Sequence, residues 1–366
     1  MAPDATIAKR SRENASRIPR GVLARYSEFL PVTAGTPALS LAEGDTPLLD
    51  APRLADWVGV ASLHLKYEGA NPTGSFKDRG MVVAVAKALE EKATTLICAS
   101  TGNTSASAAA YAARAGIQAI VLLPAGKVAR GKLAQAIVAG ATVVTLDCNF
   151  DGALAIARQL AQEYAVALVN SVNPYRIDGQ MSAAFEICEA LGDAPDILAL
   201  PVGNGGNITA YHRGFRKFHE IGRSTLVPRM LGAQAAGAAP LVHGSAVANP
   251  ETIATAIRIG NPASWTSAVD AIQQTSGAFI AVADDAILEA YHAVATLEGI
   301  FCEPASAAGI AALRIAARNG TVSAHTRAVC VLTGNGLKDP DRAAPESFRP
   351  LELDADAHSI ARSLGL

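Results

Sequence analysis

Short apolar runs alternate with longer alanine-rich segments from about residue 60 onward. Three to six apolar residues, bounded by Gly, Pro or Asn, form each run: Leu63–Tyr67, Leu96–Ala99, Ala119–Leu123, Val143–Leu146, Ala167–Val169, Ile197–Val202 and Val329–Leu332. Continuous apolarity is typical of strands buried on both faces, as in a parallel sheet. The alanine-rich segments have helical length and include Thr104–Arg114, Asp151–Tyr164 and Ala305–Arg318. The alternation predicts an α/β fold with helices on both faces of the sheet.

Weaker patterns lie at both ends and in one internal stretch. Residues 1–20 carry five basic residues with no apolar stretch after them, which predicts a frayed basic tail rather than a secretory signal. Residues 351–366 are interpreted as a C-terminal tail. Gly232–Pro250 is rich in Gly, Ala and Pro and predicts a domain boundary or a layer of loops.

Composition narrows the class of protein. With 366 residues, half of them apolar, the chain can form about two domains with substantial cores. The formal net charge of −2 gives no global electrostatic reason to bind nucleic acid or a membrane. The five cysteines are widely spaced without a C-x-x-C pair, which favours a reducing, cytoplasmic setting and no metal site.

Candidate chemistry lies just after three of the predicted strands. In open parallel sheets, ligands bind at the carboxyl ends of the strands. Small polar residues and glycines follow the strands at Ser100–Thr104, Gly203–Asn207 and Thr333–Gly336. These loops are therefore the first places to look for a binding site.

The loop of Gly203, Asn204, Gly205, Gly206 and Asn207 predicts an anion cradle. It precedes a helix predicted to start near Ile208, whose N-terminus adds partial positive charge to converging backbone N–H groups. Neither a Walker lysine nor a G-x-G-x-x-G pattern is present, so the loop suits a single phosphate. The alternative is a tight turn without a ligand.

Lys77 is the candidate nucleophile. It follows Gly74-Ser75-Phe76 and precedes a predicted helix, Met81–Glu91. Both a helix N-terminus and an apolar neighbour disfavour the charged amine, and a neutral amine is what Schiff-base chemistry needs. A solvated surface lysine is the alternative. A phosphate cradle together with an imine-forming lysine meets the requirements of pyridoxal phosphate.

Two further polar side chains suit the ring of that cofactor. Thr333 offers a neutral hydroxyl to the ring nitrogen, and Asn103 offers an amide donor to the phenolic oxygen. Helix capping or turn formation is the alternative role for each.

These residues lie in motifs by which the chain resembles threonine synthases, pyridoxal-phosphate enzymes of the tryptophan-synthase-β fold (fold type II). The resemblance runs from about residue 21 to about residue 341. Its most specific pieces are Glu68–Gly80, Ala99–Thr104, Asn170–Gln180, Pro201–Thr209, Ala256–Trp265, Glu298–Ala305 and Leu332–Pro340.

The resemblance implies two open, twisted, mostly parallel sheets flanked by helices. A large cofactor-binding domain would comprise residues 21–77 and 181–350, and a small mobile domain residues 78–180. Lys77 would carry the cofactor covalently. Asn103, Gly203 to Asn207 and Thr333 would contact its phenolic oxygen, phosphate and ring nitrogen. The family also implies a homodimer.

The implied reaction converts O-phospho-L-homoserine and water to L-threonine and phosphate by γ-elimination and addition of water at Cβ. The substrate phosphate would bind Ser171, Asn173 and Arg176, with Thr104 and Asn204 close by; a guanidinium binds phosphate bidentately. Isolated arginines more commonly form surface ion pairs. The alternatives are a threonine/serine deaminase or cysteate synthase on the same fold, or a non-catalytic cofactor- or phosphate-binding protein.

Overall fold

Two separate β-sheets organise the chain in a computed structural model that describes residues 21–125, 130–342, 349–353 and 355–365. One sheet has six strands in the order β1-β2-β10-β7-β8-β9, and the other has four in the order β5-β4-β3-β6. In these two sheets only β1 runs antiparallel to its neighbour. The predicted fold of two mostly parallel sheets flanked by helices is confirmed.

The strands are β1 Leu48–Asp50, β2 Ser62–Tyr67, β3 Thr95–Ala99, β4 Gln118–Pro124, β5 Thr142–Leu146, β6 Ala167–Leu168, β7 Ile197–Pro201, β8 Arg229–Ala235, β9 Ala278–Val282 and β10 Arg327–Leu332. The helices are α1 Val22–Arg25, α2 Pro52–Val58, α3 Lys77–Glu90, α4 Asn103–Ala115, α5 Arg130–Val138, α6 Phe150–Glu163, α7 Pro174–Leu191, α8 Gly206–Glu220, α9 Pro240–His243, α10 Trp265–Gln274, α11 Asp284–Glu298, α12 Pro304–Arg318 and α13 Ala357–Leu364.

All seven apolar runs singled out in the sequence are strands, and the alanine-rich segments are helices. Residues Gly232–Pro250 differ from the prediction, because their first part belongs to β8, which lies between β7 and β9. A Cβ on Gly232 would approach Cδ1 of Phe279 to 2.6 Å. The small residues that resembled a loop therefore reflect crowding inside a sheet.

Both sheets contribute to one apolar core. Its largest cluster includes Leu96 of β3 and Val121 of β4 together with Leu198 of β7 and Val329 of β10. Strands of the six-stranded sheet come from residues 48–67 and 197–332, and those of the four-stranded sheet from residues 95–168. The two sheets thus come from different parts of the chain and share core side chains, and the predicted domain boundaries stay a prediction.

Helices α3 and α7 lie in very close contact, because glycines stand where they meet. A Cβ on Gly179 would lie 2.0 Å from the carbonyl oxygen of Arg79, and one on Gly80 would lie 2.5 Å from that of Arg176. Larger side chains at these two positions would force the helices apart. This packing brings the start of α3 against the start of α7.

The ends of the chain add little to this frame. The predicted basic tail, residues 1–20, lies outside the described residues. The predicted C-terminal tail contains α13, which buries none of its residues. No helix in the described ranges combines the length and apolar character needed to cross a membrane.

Candidate active site

Lys77 is the first residue of α3, four residues earlier than the helix predicted from the sequence. The loop before it pairs with the segment that follows β10. Phe76 N donates to the carbonyl oxygen of Thr333 at 3.0 Å, and Asn335 N donates to that of Gly74 at 2.9 Å. Two backbone hydrogen bonds therefore fix the position of Lys77 relative to Thr333.

The Lys77 amine lies 4.1 Å from the centre of the Phe76 ring. Desolvation by the surrounding protein and, secondly, the positive charge of Arg176 lower the pKa of Lys77 to about 7, against an opposing effect of Glu303. The side chain keeps partial solvent exposure. A lysine with this pKa is about half neutral near pH 7, so it can act there as a nucleophile or general base.

Arg176 lies in the first turn of α7 and is 1% exposed. Its Nη1 donates to the carbonyl oxygen of Val169 at 3.1 Å, whereas Nε has no hydrogen-bond partner among the described residues. Burial lowers the pKa of Arg176 to about 10, so the guanidinium stays charged at neutral pH. A buried cation with an unused donor is suited to binding an anion.

The glycine loop follows β7 and leads into α8, which begins at Gly206. Gly205, with φ of 80°, adopts the left-handed conformation that favours glycine. Its missing side chain also matters, since a Cβ there would lie 3.0 Å from the carbonyl oxygen of Ser264. Nδ2 of Asn207 is buried without a hydrogen-bond partner in the described ranges. The loop therefore presents a helix N-terminus and an unused amide donor.

Asn103 and Thr333 both bind the same buried carboxylate. Nδ2 of Asn103 donates to Oε2 of Glu303 at 3.1 Å, and Oγ1 of Thr333 donates to Oε1 at 3.1 Å. Asn103 begins α4, and Thr333 directly follows β10. Glu303 thus joins the two side chains that were predicted to contact the cofactor ring.

The remaining predicted substrate residues differ in how free their side chains are. Asn173 caps α7 by accepting from Tyr175 N at 3.0 Å, and its Nδ2 donates to the carbonyl oxygen of Leu168 at 2.9 Å. Oδ1 of Asn204 accepts from Ala263 N at 3.3 Å. Thr104 and Ser171 are half-buried. Asn173 and Asn204 therefore also hold the local backbone in place.

A buried ionic cluster supports the start of α3. Arg79 binds Glu68 at 2.7 Å and Glu186 at 2.6 Å, and Lys66 binds Glu186 at 2.7 Å. All four side chains are at most 4% exposed. Mutual pairing compensates for the cost of burying these charges. The cluster ties β2, α3 and α7 together beside Lys77.

Glu303, Arg79 and Glu186 were not singled out from the sequence. Glu303 lies within the motif Glu298–Ala305. In the sequence it directly precedes Pro304, which is typical of a helix start, and in the structure its side chain makes no capping bond. A glutamate in that position, among apolar neighbours, needs other donors, and only the fold shows which ones they are.

The comparisons with known proteins agree with this geometry. A family model described as pyridoxal-phosphate dependent enzyme matches residues 39–334. The chain belongs to this family. Pyridoxal phosphate is therefore its cofactor, as the sequence predicted.

Among similar proteins are two threonine synthases. That of Mycobacterium leprae is 56% identical over 347 residues, covering 94% of this chain and 96% of its own. That of Halalkalibacterium halodurans is 58% identical over 324 residues, covering 88% and 91%. A solved structure, maize serine racemase, shares the fold with a TM-score of 0.70 at 20% identity, covering 87% of this chain and 91% of its own.

The residues fit the cofactor of this pyridoxal-phosphate dependent enzyme. The unpartnered Nδ2 of Asn207 lies at the N-terminus of α8, where backbone N–H groups favour a phosphate. Lys77 supplies an amine that is about half neutral near pH 7. No cluster of His, Cys, Asp or Glu within the described ranges is suited to a metal ion.

Proposed function

We propose that this chain is a threonine synthase, a lyase that converts O-phospho-L-homoserine and water to L-threonine and phosphate in threonine biosynthesis. The observation that carries the proposal is the position of Arg176 relative to Lys77. The positive charge of Arg176 lowers the pKa of Lys77, and Nε of the buried Arg176 is free for an anion. The high identity to threonine synthases over nearly the whole chain supports the same reaction.

Three groups of residues would hold the cofactor. Lys77 binds it covalently, and the loop Gly203–Asn207 binds its phosphate through backbone N–H groups and Nδ2 of Asn207. Asn103 and Thr333 face its phenolic oxygen and ring nitrogen. When bound, pyridoxal phosphate supplies an aldehyde that condenses with amines and an electron-poor ring that takes up negative charge from carbon.

Lys77 moves the protons. Once the substrate amine has replaced it, its Nζ would accept a proton from Cα of the substrate, pass that proton on to the bound cofactor, and only then accept one from Cβ. A pKa of about 7 suits a group that must both accept and return protons at neutral pH. The positive charge of Arg176 lowers the pKa of Lys77 and so favours the neutral amine, whereas the negative charge of Glu303 opposes this lowering.

Arg176 binds the phosphate of the substrate. Its guanidinium lies in a desolvated position, where a charge-assisted hydrogen bond is strong. Nη1 is anchored on Val169, so the fork is already oriented before the substrate arrives. Ser171, Asn173, Thr104 and Asn204 complete this phosphate site. The same contacts hold the phosphate as it leaves Cγ.

Exclusion of water would come from movement of the small domain, residues 78–180, over the large one. Early quenching by water would waste the substrate, so closure before phosphate leaves is expected. Because the two sheets share core side chains, the movement would have to be a limited rotation. Solution scattering of the enzyme with and without a substrate analogue tests it: unchanged dimensions would argue against closure.

The deciding experiment is to assay phosphate release from O-phospho-L-homoserine and to identify the organic product. Threonine and phosphate in equal amounts are expected, with loss of both in Lys77→Ala and no change in Lys217→Ala, whose side chain is exposed. Ammonia and an oxo acid formed from threonine or serine, without turnover of the phosphate ester, would instead indicate a deaminase.

Assembly and location are further parts of the proposal. The resemblance supports a homodimer, which light scattering of the purified chain would test. A cytoplasmic location is supported by five cysteines without a disulfide, four of which are buried. Cell fractionation would test that part.

A further inference from the structure

Glu303 is the acidic side chain buried between the two predicted ring contacts. It is 3% exposed and directly precedes α12. Its backbone N donates to the carbonyl oxygen of Gly334 at 3.0 Å, so its main chain is fixed beside the segment that follows β10. The carboxylate, free of any capping bond, turns away from the helix.

Both carboxylate oxygens of Glu303 are used. Oε2 accepts from Asn103 of α4, and Oε1 accepts from Thr333. Gly334 makes room for this arrangement, since a Cβ there would lie 2.6 Å from Oε1 and from Cδ of Glu303. The carboxylate therefore bridges a helix packed on the four-stranded sheet and a strand of the six-stranded sheet.

A short chain of donors leads to the same carboxylate. Gly334 N donates to Oγ of Ser306 at 3.1 Å, and Ser306 and Thr333 hydroxyls are 3.0 Å apart. Because Thr333 gives its proton to Glu303, the proton between the two hydroxyls comes from Ser306. Each hydroxyl in this chain thus has a defined direction, which ends at Glu303.

The charged and titratable groups facing Glu303 come from three segments. They are Lys77 at the start of α3, Lys338 in the turn after Thr333, and the thiol of Cys302. Burial raises the pKa of Glu303, while the hydrogen bonds from Asn103 and Thr333 and the two lysines oppose that effect. Its ionised form is the one that accepts from both donors at once.

We infer that Glu303 is a positioning residue, whose carboxylate orients the Asn103 amide toward the ring of the cofactor and holds the Thr333 hydroxyl in place. The inference rests on the proposed cofactor site at Lys77. A carboxylate only accepts hydrogen bonds, so it selects the Nδ2 end of the Asn103 amide. The second N–H of that nitrogen is then available to donate to the phenolic oxygen. The amide cannot rotate by 180° to place its oxygen there, because its oxygen would then face the carboxylate.

The test compares Glu303→Gln and Glu303→Asp with the wild-type holoenzyme, without substrate. A glutamine keeps the shape but can donate, so it no longer selects one end of the Asn103 amide. We expect the dissociation constant for pyridoxal phosphate to rise about tenfold. Loss of the negative charge should also move the pH midpoint of the visible cofactor band down by about 0.5 to 1 unit, since the protonated form loses a nearby anion.

Glu303→Asp separates position from charge. The shorter side chain keeps the negative charge but cannot reach both donors, so the affinity should fall while the midpoint stays near that of the wild type. Glu289→Gln, an exposed carboxylate paired with Arg314, is the matched control and should change neither quantity.

If both Glu303 variants bind pyridoxal phosphate with wild-type affinity and keep the wild-type pH midpoint of the cofactor band, the inference is overturned, even if thermal stability falls. If Glu303→Gln does not fold, a wild-type affinity in Glu303→Asp overturns it alone. A wild-type chain that binds no pyridoxal phosphate would refute the proposed function and this inference together. One that binds the cofactor but forms no threonine would refute only the reaction, because no readout here uses substrate.

Discussion

The backbone N–H of Phe76 donates to the carbonyl oxygen of Thr333 at 3.0 Å. This bond ties the residue before Lys77 to the residue after β10, although the two lie far apart in the chain. Backbone pairing, and not flexible side chains, therefore holds the main chain at Lys77 beside that at Thr333. The consequences for proton chemistry, anion binding and packing can each be measured.

The first prediction concerns the titration of Lys77. The rate at which the apoenzyme attaches pyridoxal phosphate should rise with pH to a midpoint near 7, because only the neutral amine attacks the aldehyde. In Arg176→Met the midpoint should move to higher pH, since the positive charge that disfavours protonation is gone. Stopped-flow absorbance measures both. A midpoint near 10 in the wild type would mean that Lys77 behaves as an ordinary surface lysine.

The second prediction concerns substrate affinity. Arg176→Met should raise KM for O-phospho-L-homoserine by roughly 10- to 100-fold, because a hydrogen bond to a charged group contributes about 1.5–3 kcal/mol. The affinity for pyridoxal phosphate should stay within about twofold of the wild-type value. Steady-state assays and a cofactor titration separate the two effects. An unchanged KM would remove Arg176 from the substrate site.

The third prediction concerns the contact between α3 and α7. Gly179→Ala should lower the free energy of unfolding by about 1–3 kcal/mol, since the new methyl group overlaps the Arg79 carbonyl. This loss must exceed the gain of roughly 1 kcal/mol that alanine brings to a helix. Urea unfolding measures the change. Gly35→Ala, which meets only ordinary contacts, should stay within about 0.5 kcal/mol of wild type.

The fourth prediction concerns the buried ionic cluster. Glu186→Gln should cost about 3–5 kcal/mol of unfolding free energy, because Arg79 and Lys66 lose a shared carboxylate. The pairing holds the pKa of Glu186 well below its usual value of 4.5. The contribution of Glu186 to the free energy of unfolding is therefore complete above pH 4.5 and is lost as the pH falls toward the folded-state pKa. The stability of the variant should consequently depend less on pH in the acid range.

Denaturant unfolding at several pH values checks that prediction. Glu289→Gln, at an exposed pair with Arg314, should lower the free energy of unfolding far less than Glu186→Gln. Equal losses in the two variants would show that burial of the cluster contributes little.

Local patterns in the sequence were sufficient for most elements that lead to the site. The apolar runs ending at Ala99, Val202 and Leu332 predicted buried strands, and the structure has a strand in each of them. Three strands escaped notice. Of these, β8 contains Gly232, which has no room for a side chain beside Phe279 of β9, a contact that is invisible along the chain.

The sequence by itself determined the α/β alternation, the lysine, the glycine loop and the family, because each of these depends on residues that are close together in the chain. Only the tertiary structure decided that Glu303 bridges Asn103 and Thr333, that Asn173 caps a helix, and that Arg176 lies desolvated near Lys77. Contacts of this kind join distant segments, and their energies depend on burial and charge that exist only once the two sheets have packed together.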